Sequence, residues 1–173
     1  VVVDLLGYGR SDRPGDRPLG VRAHAERIDE LLDVLGINYA CVVGHDIGGG
    51  VAQVMAVRWP QRVSRLCLVS SVAYDCWPAR ELRLIRAMLP LTRHLPPTWL
   101  LGFLRKEMLS GYTDRELGTH SIERYVKPFG TAEGRDALVA HLLALDPAET
   151  AALAPRLKDL VMPDYRDYAV AVP

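Results

Sequence analysis

The stretch Cys41-Val42-Val43-Gly44-His45-Asp46-Ile47-Gly48-Gly49-Gly50-Val51-Ala52-Gln53 constrains the fold more than any other part of the chain. A short apolar run ends at Gly44, and one acidic residue, Asp46, stands at the turn. Three glycines follow, and a helical pattern runs on to Arg58 before Pro60. The order reads as strand, sharp turn, helix. A residue at such a turn is held in a strained backbone conformation, with its side chain raised at the end of the sheet. Its neighbours, Gly44 and Gly48 among them, are expected to be small because a Cβ there would collide with the turn.

The flanking segments repeat the alternation. Val1-Val2-Val3 is a β-branched run of the kind found in buried parallel strands. It leads into Asp4-Leu5-Leu6-Gly7-Tyr8-Gly9-Arg10-Ser11-Asp12, a loop that continues through Pro14, Gly15, Pro18 and Gly20. Its two glycines do not open a dinucleotide fingerprint, because position 12 is Asp12 and no helix starts there. Val21, His24, Ile28, Leu31, Leu32 and Leu35 recur at helical spacing and Gly36 closes the helix, with His24 expected as a packing residue. After the central turn and its helix, Arg62 to Ser71 reads as another buried strand. Strand, helix, strand at short spacing implies βαβ units and a parallel sheet. Crossovers are then right-handed, and ligands sit at the carboxyl ends of the strands, where Asp4, Asp46 and Ser70 fall.

From about Arg80 to Leu160 the pattern is helical with proline breaks, with helices expected at 80–89, 97–109, 120–127, 132–145 and 148–159. The organisation expected is a core over 1–75, a helical block over 76–160, and a truncated or altered return to the sheet over 161–173.

The 173 residues carry 21 basic and 21 acidic side chains. That balance, without a basic run, gives no electrostatic footprint for nucleic acid. The most apolar stretch, 82–104, is interrupted by Arg83, Arg86, Arg93 and His94, so no membrane span is expected. Three cysteines without a framework spacing, Cys41, Cys67 and Cys76, read as free thiols in a reducing compartment, with Cys41 and Cys67 in buried strands. The expected location is therefore cytoplasmic. Histidines and cysteines do not cluster at ligand spacing, so neither a metal nor another cofactor is expected. The Gly44–Gly50 turn lacks the Lys and Ser/Thr of a P-loop, which leaves a nucleotide-binding module a distant reading.

The Gly44-x-Asp46-x-Gly48 turn resembles the G-x-S-x-G elbow of the α/β-hydrolase superfamily, with aspartate in place of serine. The Asp4 to Ser11 segment resembles the D-x-x-G-x-G-x-S loop of the same superfamily. Tyr125-Val126-Lys127-Pro128-Phe129 followed by Gly134-Arg135 resembles a stretch of the cap in its dehalogenase-like and epoxide-hydrolase-like members. The resemblance covers roughly residues 1 to 160. It implies an α/β-hydrolase fold fragment, a parallel core sheet with an inserted helical cap, in the branch with an aspartate nucleophile.

In that branch Asp46 is the nucleophile and the backbone N–H of Ile47 is an oxyanion donor. A carboxylate that attacks an ester gives a reactive anhydride, whereas attack on a saturated carbon with a good leaving group gives a stable ester. Epoxides and alkyl halides meet that requirement, and a water activated by histidine then hydrolyses the ester. The bland reading of Asp46 is a helix N-cap. Ile47 stands where both look-alike families commonly carry a tryptophan, which in the dehalogenases binds the departing halide; Ile47 has no donor side chain, which favours an epoxide over a haloalkane. Tyr112 and Tyr125 are candidates for the paired cap tyrosines that donate protons to the epoxide oxygen, and His141 matches the cap position of one of that pair. Asp75 is a candidate orienting acid, although Ser70 or Ser71 matches that position better. His45 and Tyr74 are expected to pack. No late histidine follows the cap pattern, and no H-G-x-P-like loop precedes the first strand. The expectation is a small-molecule hydrolase whose fragment alone is inactive and has exposed sheet edges, the alternative being a non-catalytic truncated paralogue.

Overall fold

The computed structural model describes residues 1–77, 96–158 and 170–171. These fall into two compact units, residues 19–77 with 145–158 and 170–171, and residues 1–18 with 96–144. The division differs from the sequence-based one at the amino end, where the 1–18 loop groups with the helical block and not with the elbow.

The first unit is built on a βαβ crossover. Helix α1 (Val21–Val34) buries Val21, His24, Ala25 and Leu32. It ends at Gly36, whose φ of 67° is open to glycine without strain. The Gly36 N–H donates to the Asp33 carbonyl and the Ile37 N–H to the Leu32 carbonyl, the paired bonds of a Schellman motif. Strand β1 (Ala40–His45) follows, then α2 (Ile47–Arg58), a 3-10 turn (Pro60–Arg62) and β2 (Val63–Val69). Residues Gly49 to Val57 of α2 are all buried, as befits a helix apolar on every side. β1 and β2 pair in parallel, with His45 opposite Val69 as the last matched pair.

β3 (Val170–Ala171) adds on the other side of β2, also parallel, giving the order β1-β2-β3. The return to the sheet is therefore made, by a two-residue strand beside Leu68 and Val69. Short helices α6 (Ala148–Ala151) and α7 (Ala154–Lys158) stand where one helix was expected over 148–159. The Arg156 guanidinium donates to the Val57 carbonyl at 2.8 Å and ties this end of the chain to α2.

Two expectations about strands fail. Val1–Val3 is not a strand, and Val1 and Val2 are almost wholly exposed. Among the described residues no strand lies beside the run, and β-branched propensity without a neighbour to pair with does not make a ladder. β1 is also not buried on both faces. Cys41, Val43 and His45 alternate as exposed residues, so Cys41 is a surface thiol and His45 does not pack. α2 covers the opposite face, where Gly44 and Leu66 are buried.

The second unit holds α3 (Pro97–Ser110), α4 (Arg115–Val126), a 3-10 turn (Lys127–Phe129) and α5 (Ala132–Ala144). α4 starts five residues earlier than the apolar periodicity suggested. Asp114 caps it, its carboxylate accepting from the Glu116 and Leu117 N–H groups at 2.9 and 3.0 Å. Thr131 accepts from the Gly134 N–H at the start of α5. Leu101, Ile122 and Val126 form the core of this unit with Met108, Tyr112 and Phe129 against them. The helix expected over 80–89, and His94, lie outside the described residues.

The 4–14 loop docks within the same unit. The Asp4 carboxylate accepts from the Arg10 N–H, and the Asp4 carbonyl from the Ser11 hydroxyl. The Arg13 guanidinium donates to the carbonyls of Gly7 and Pro128. The Tyr8 ring lies 4.1 Å from the His141 ring and meets Phe129 edge-on. Gly7 takes φ 86°, and a Cβ there would strike the His141 imidazole.

Candidate active site

The elbow is formed by three close approaches. Asp46 has φ 50° and ψ −121°, a conformation that side-chain-bearing residues seldom hold. Its main chain is clamped on two sides. The Asp46 N–H donates to the Val69 carbonyl at 3.3 Å, and the Asp46 carbonyl accepts from Gly49, Gly50 and Val72. A Cβ on Gly44 would meet the Gly49 Cα at 2.6 Å and the Gly48 carbonyl closer still, and a Cβ on Gly49 would meet the Ser71 side chain. Gly48, by contrast, has nothing within 4 Å of its would-be Cβ. The sequence motif marks Gly44 and Gly48; the packing requires Gly44 and Gly49.

The Asp46 side chain is left for other work. It stands at the N-cap of α2 yet makes no capping hydrogen bond. It is exposed, but the protein packed around the carboxyl desolvates it and raises its pKa above the ordinary aspartate value, opposed by the charge of His45. A carboxylate used as a cap is held in its charged form by N–H donors, and its pKa falls. The capping reading of Asp46 is therefore set aside. Ile47 follows as the first residue of α2, half-buried, its N–H among the orphan donors of the helix start.

A buried glutamine fixes the other wall. Gln53, 1% exposed, donates through Nε2 to the Ser71 hydroxyl at 2.9 Å and the Val72 carbonyl at 2.7 Å. This pins the chain that leaves β2 against α2. Further along, Thr150 is fully buried and accepts from the Trp77 indole N–H at 2.6 Å, while its hydroxyl donates to the Tyr74 carbonyl. Sequence reasoning missed Gln53 and Thr150. The only signal for Gln53 was a polar residue inside an all-apolar helical run.

The remaining candidates are dispersed. Tyr112 packs into the apolar cluster of the helical unit, with Gly118 pressed against its Cβ. Tyr125 is 61% exposed on α4. His141 is buried under Gly7 and Tyr8, so it neither faces solvent nor lines an open hollow. Asp75 is exposed and makes no side-chain hydrogen bond among the described residues. Tyr74 is half exposed at φ 53°, so its ring is not the packing element expected. His24 is buried in α1 as expected, and burial with the nearby Arg27 charge lowers its pKa to about 4. Among the described residues no group of acidic, histidine and cysteine side chains is arranged to hold a metal, and no helix is long and apolar enough to cross a membrane.

A parallel βαβ core with a strained, glycine-flanked turn at the carboxyl end of a strand has the form of the α/β-hydrolase nucleophile elbow. The family model for the alpha/beta hydrolase fold matches residues 1–109, and the chain belongs to that family. An uncharacterized protein of Mycobacterium bovis is 46% identical over 71 residues, covering 41% of this chain and 20% of the relative. A 2-hydroxymuconate semialdehyde hydrolase of Pseudomonas putida is 42% identical over 72 residues, covering 42% of this chain and 26% of the relative. The matched stretch is thus about a fifth to a quarter of those relatives' length.

Among solved structures, an alpha/beta hydrolase fold protein from Burkholderia ambifaria superposes with a TM-score of 0.77 at 22% identity, over 88% of this chain and 56% of that one. The haloalkane dehalogenase DatA from Agrobacterium tumefaciens C58 gives 0.63 at 24%, over 88% and 55%. The epoxide hydrolase CorEH gives 0.64 at 22%, over 87% and 58%. These likenesses concern the fold.

Proposed function

We propose that the protein carrying this chain hydrolyses a small electrophile, an epoxide ahead of an alkyl halide, through an ester on Asp46. The observation that carries the reading is the strained Asp46 at the elbow, whose carboxylate caps nothing. Backbone strain at a non-glycine residue persists where the surroundings over-determine it, and such residues cluster at reactive sites. A merely structural residue at this φ would be relieved by glycine.

In this reading an Asp46 oxygen attacks the substrate carbon, a carbon–oxygen bond forms, and the leaving atom departs or, in an epoxide, remains as the ring-opened alkoxide and takes up a proton. Water then adds to the ester carbonyl, its proton passing to an imidazole base. The ester C–O bond breaks, the alcohol leaves protonated, and the Asp46 carboxylate is restored. The Ile47 N–H supports the carbonyl oxygen as it gains charge. Support for this class comes from the likeness in fold to a haloalkane dehalogenase and an epoxide hydrolase. The absence of a donor side chain at Ile47 favours the epoxide.

The test is rapid-quench mass spectrometry of the full-length natural protein with styrene oxide and with 1-bromobutane. An adduct on the peptide containing Asp46, lost in Asp46→Asn, is the expected result. Turnover of either probe at an undiminished rate by Asp46→Ala would sink the reading.

A further inference from the structure

Beside Asp46 lies a second strained residue. His45 and Val69 are the last matched pair of β1 and β2, so Asp46 and Ser70 are the next residues at the carboxyl ends of adjacent strands. Ser70 has φ 40°, and of the non-glycine residues with positive φ it is the one that adjoins the elbow in the ladder. The hydrogen bonds give a second, independent mark. In a regular parallel ladder, a residue that donates to the carbonyl of Val69 accepts from the N–H of Ser71. Here the Asp46 N–H donates to Val69, but its carbonyl accepts from Val72 instead. One extra residue is accommodated at Ser70–Ser71, an insertion of the bulge type. Bulges bend a strand, re-aim a side chain and are over-represented beside active sites.

The two serines divide the labour. The Ser71 hydroxyl accepts from Gln53 and donates to the Val72 carbonyl. It is fully committed to holding the bulge. Ser70 is exposed, and its hydroxyl makes no hydrogen bond among the described residues. A strained, exposed serine with an uncommitted hydroxyl, on a bulge pinned by a buried glutamine, is placed for a ligand and not for the fold.

We propose that the Ser70 hydroxyl holds the water that hydrolyses the ester on Asp46. This inference rests on the reading of Asp46 as nucleophile. Ser70 accepts a hydrogen bond from the water and fixes its approach to the ester carbonyl, while the imidazole base takes the other proton. Ser70 acts after the ester has formed, so its loss slows the second half of the reaction and leaves the first untouched.

The experiment uses the full-length natural protein, styrene oxide as probe, and the variants Ser70→Gly and Ser70→Ala. Glycine removes the hydroxyl and relieves the positive φ; alanine removes the hydroxyl and keeps the backbone demand. Single-turnover quench gives the rate of ester formation, and decay of the adduct gives the rate of hydrolysis. The expected result is formation at the unsubstituted rate, hydrolysis slowed tenfold or more in both variants, and accumulation of the ester on Asp46. A folding defect cannot mimic this, because it would lower both rates, and Ser70→Gly is expected to melt at or above the unsubstituted protein. Hydrolysis at the unsubstituted rate in both variants overturns the inference, as does slowed ester formation. An unmodified Asp46 in the unsubstituted protein overturns the nucleophile reading, and this inference falls with it.

Discussion

Gly44→Ala and Gly48→Ala should move stability in opposite directions, although both glycines belong to one motif. At Gly44 the added methyl meets backbone, the Gly48 carbonyl and the Gly49 Cα at 2.6 Å. Backbone cannot rotate away as a side-chain end can, so strand β1 and the first turn of α2 must separate. Overpacking of this kind costs about 1–3 kcal/mol. At Gly48 nothing lies within 4 Å, its φ is not positive, and the residue is already in the helix. Alanine there stabilises by roughly 0.5–1 kcal/mol through the lower entropy of the unfolded chain. The two variants should therefore differ by about 1.5–4 kcal/mol, which at a urea slope of about 1–3 kcal/mol/M separates their midpoints by about 0.5 M or more. Urea unfolding followed by far-UV circular dichroism reads this directly. Midpoints shifted the same way, or Gly48→Ala the less stable of the two, would refute the packing argument for the elbow.

Three further outcomes follow from the buried and desolvated groups. The Asp46 carboxyl has its pKa raised by desolvation, so its stability contribution is present below the ordinary aspartate value and lost as pH rises through the raised one. Asp46→Asn should therefore be at least as stable as the parent at pH 7 while losing turnover, and parent activity should fall as acid protonates Asp46; thermal melts and a pH–rate profile check both. His24, with its pKa lowered to about 4 against 6.5 unfolded, is neutral in the fold. Stability is full above 6.5 and falls as pH drops toward 4, by up to about 3 kcal/mol, and His24→Leu should flatten the melt-versus-pH curve in that window. Thr150→Val keeps the shape but strands the Trp77 indole N–H and the Tyr74 carbonyl, at about 1–3 kcal/mol by urea unfolding, while Thr150→Ser should recover most of it.

The elbow was legible in the sequence because one short stretch states both periods and the turn between them. An apolar strand pattern, one acidic residue and a glycine cluster leave few conformations open, and Asp46 duly takes a positive φ. Helices α3 and α5 were legible from periodicity and proline breaks, to within a residue at their carboxyl ends. Val1–Val3 was misread because propensity is local whereas a strand needs a partner. The role of Gly49 was hidden because what it touches, Ser71, is distant in sequence and meets it only after the crossover is made. Gln53 and Thr150 were hidden for the same reason. Each makes a local bond as well, but the ones that pin distant chain run to residues 18 and more positions away, and a polar residue in an apolar run does not say where its partner lies.

The hydrogen bond between Trp77 and Thr150 joins residues 73 positions apart. Loop-closure entropy rises only with the logarithm of loop length, so doubling such a span adds about 0.6 kcal/mol. Residues added to the turns between the helices of this span raise the closure cost little, provided the ends still meet. Descendants of this chain are therefore free to vary in length at the turns between those helices, whereas the indole and the hydroxyl that close the span are held to their places.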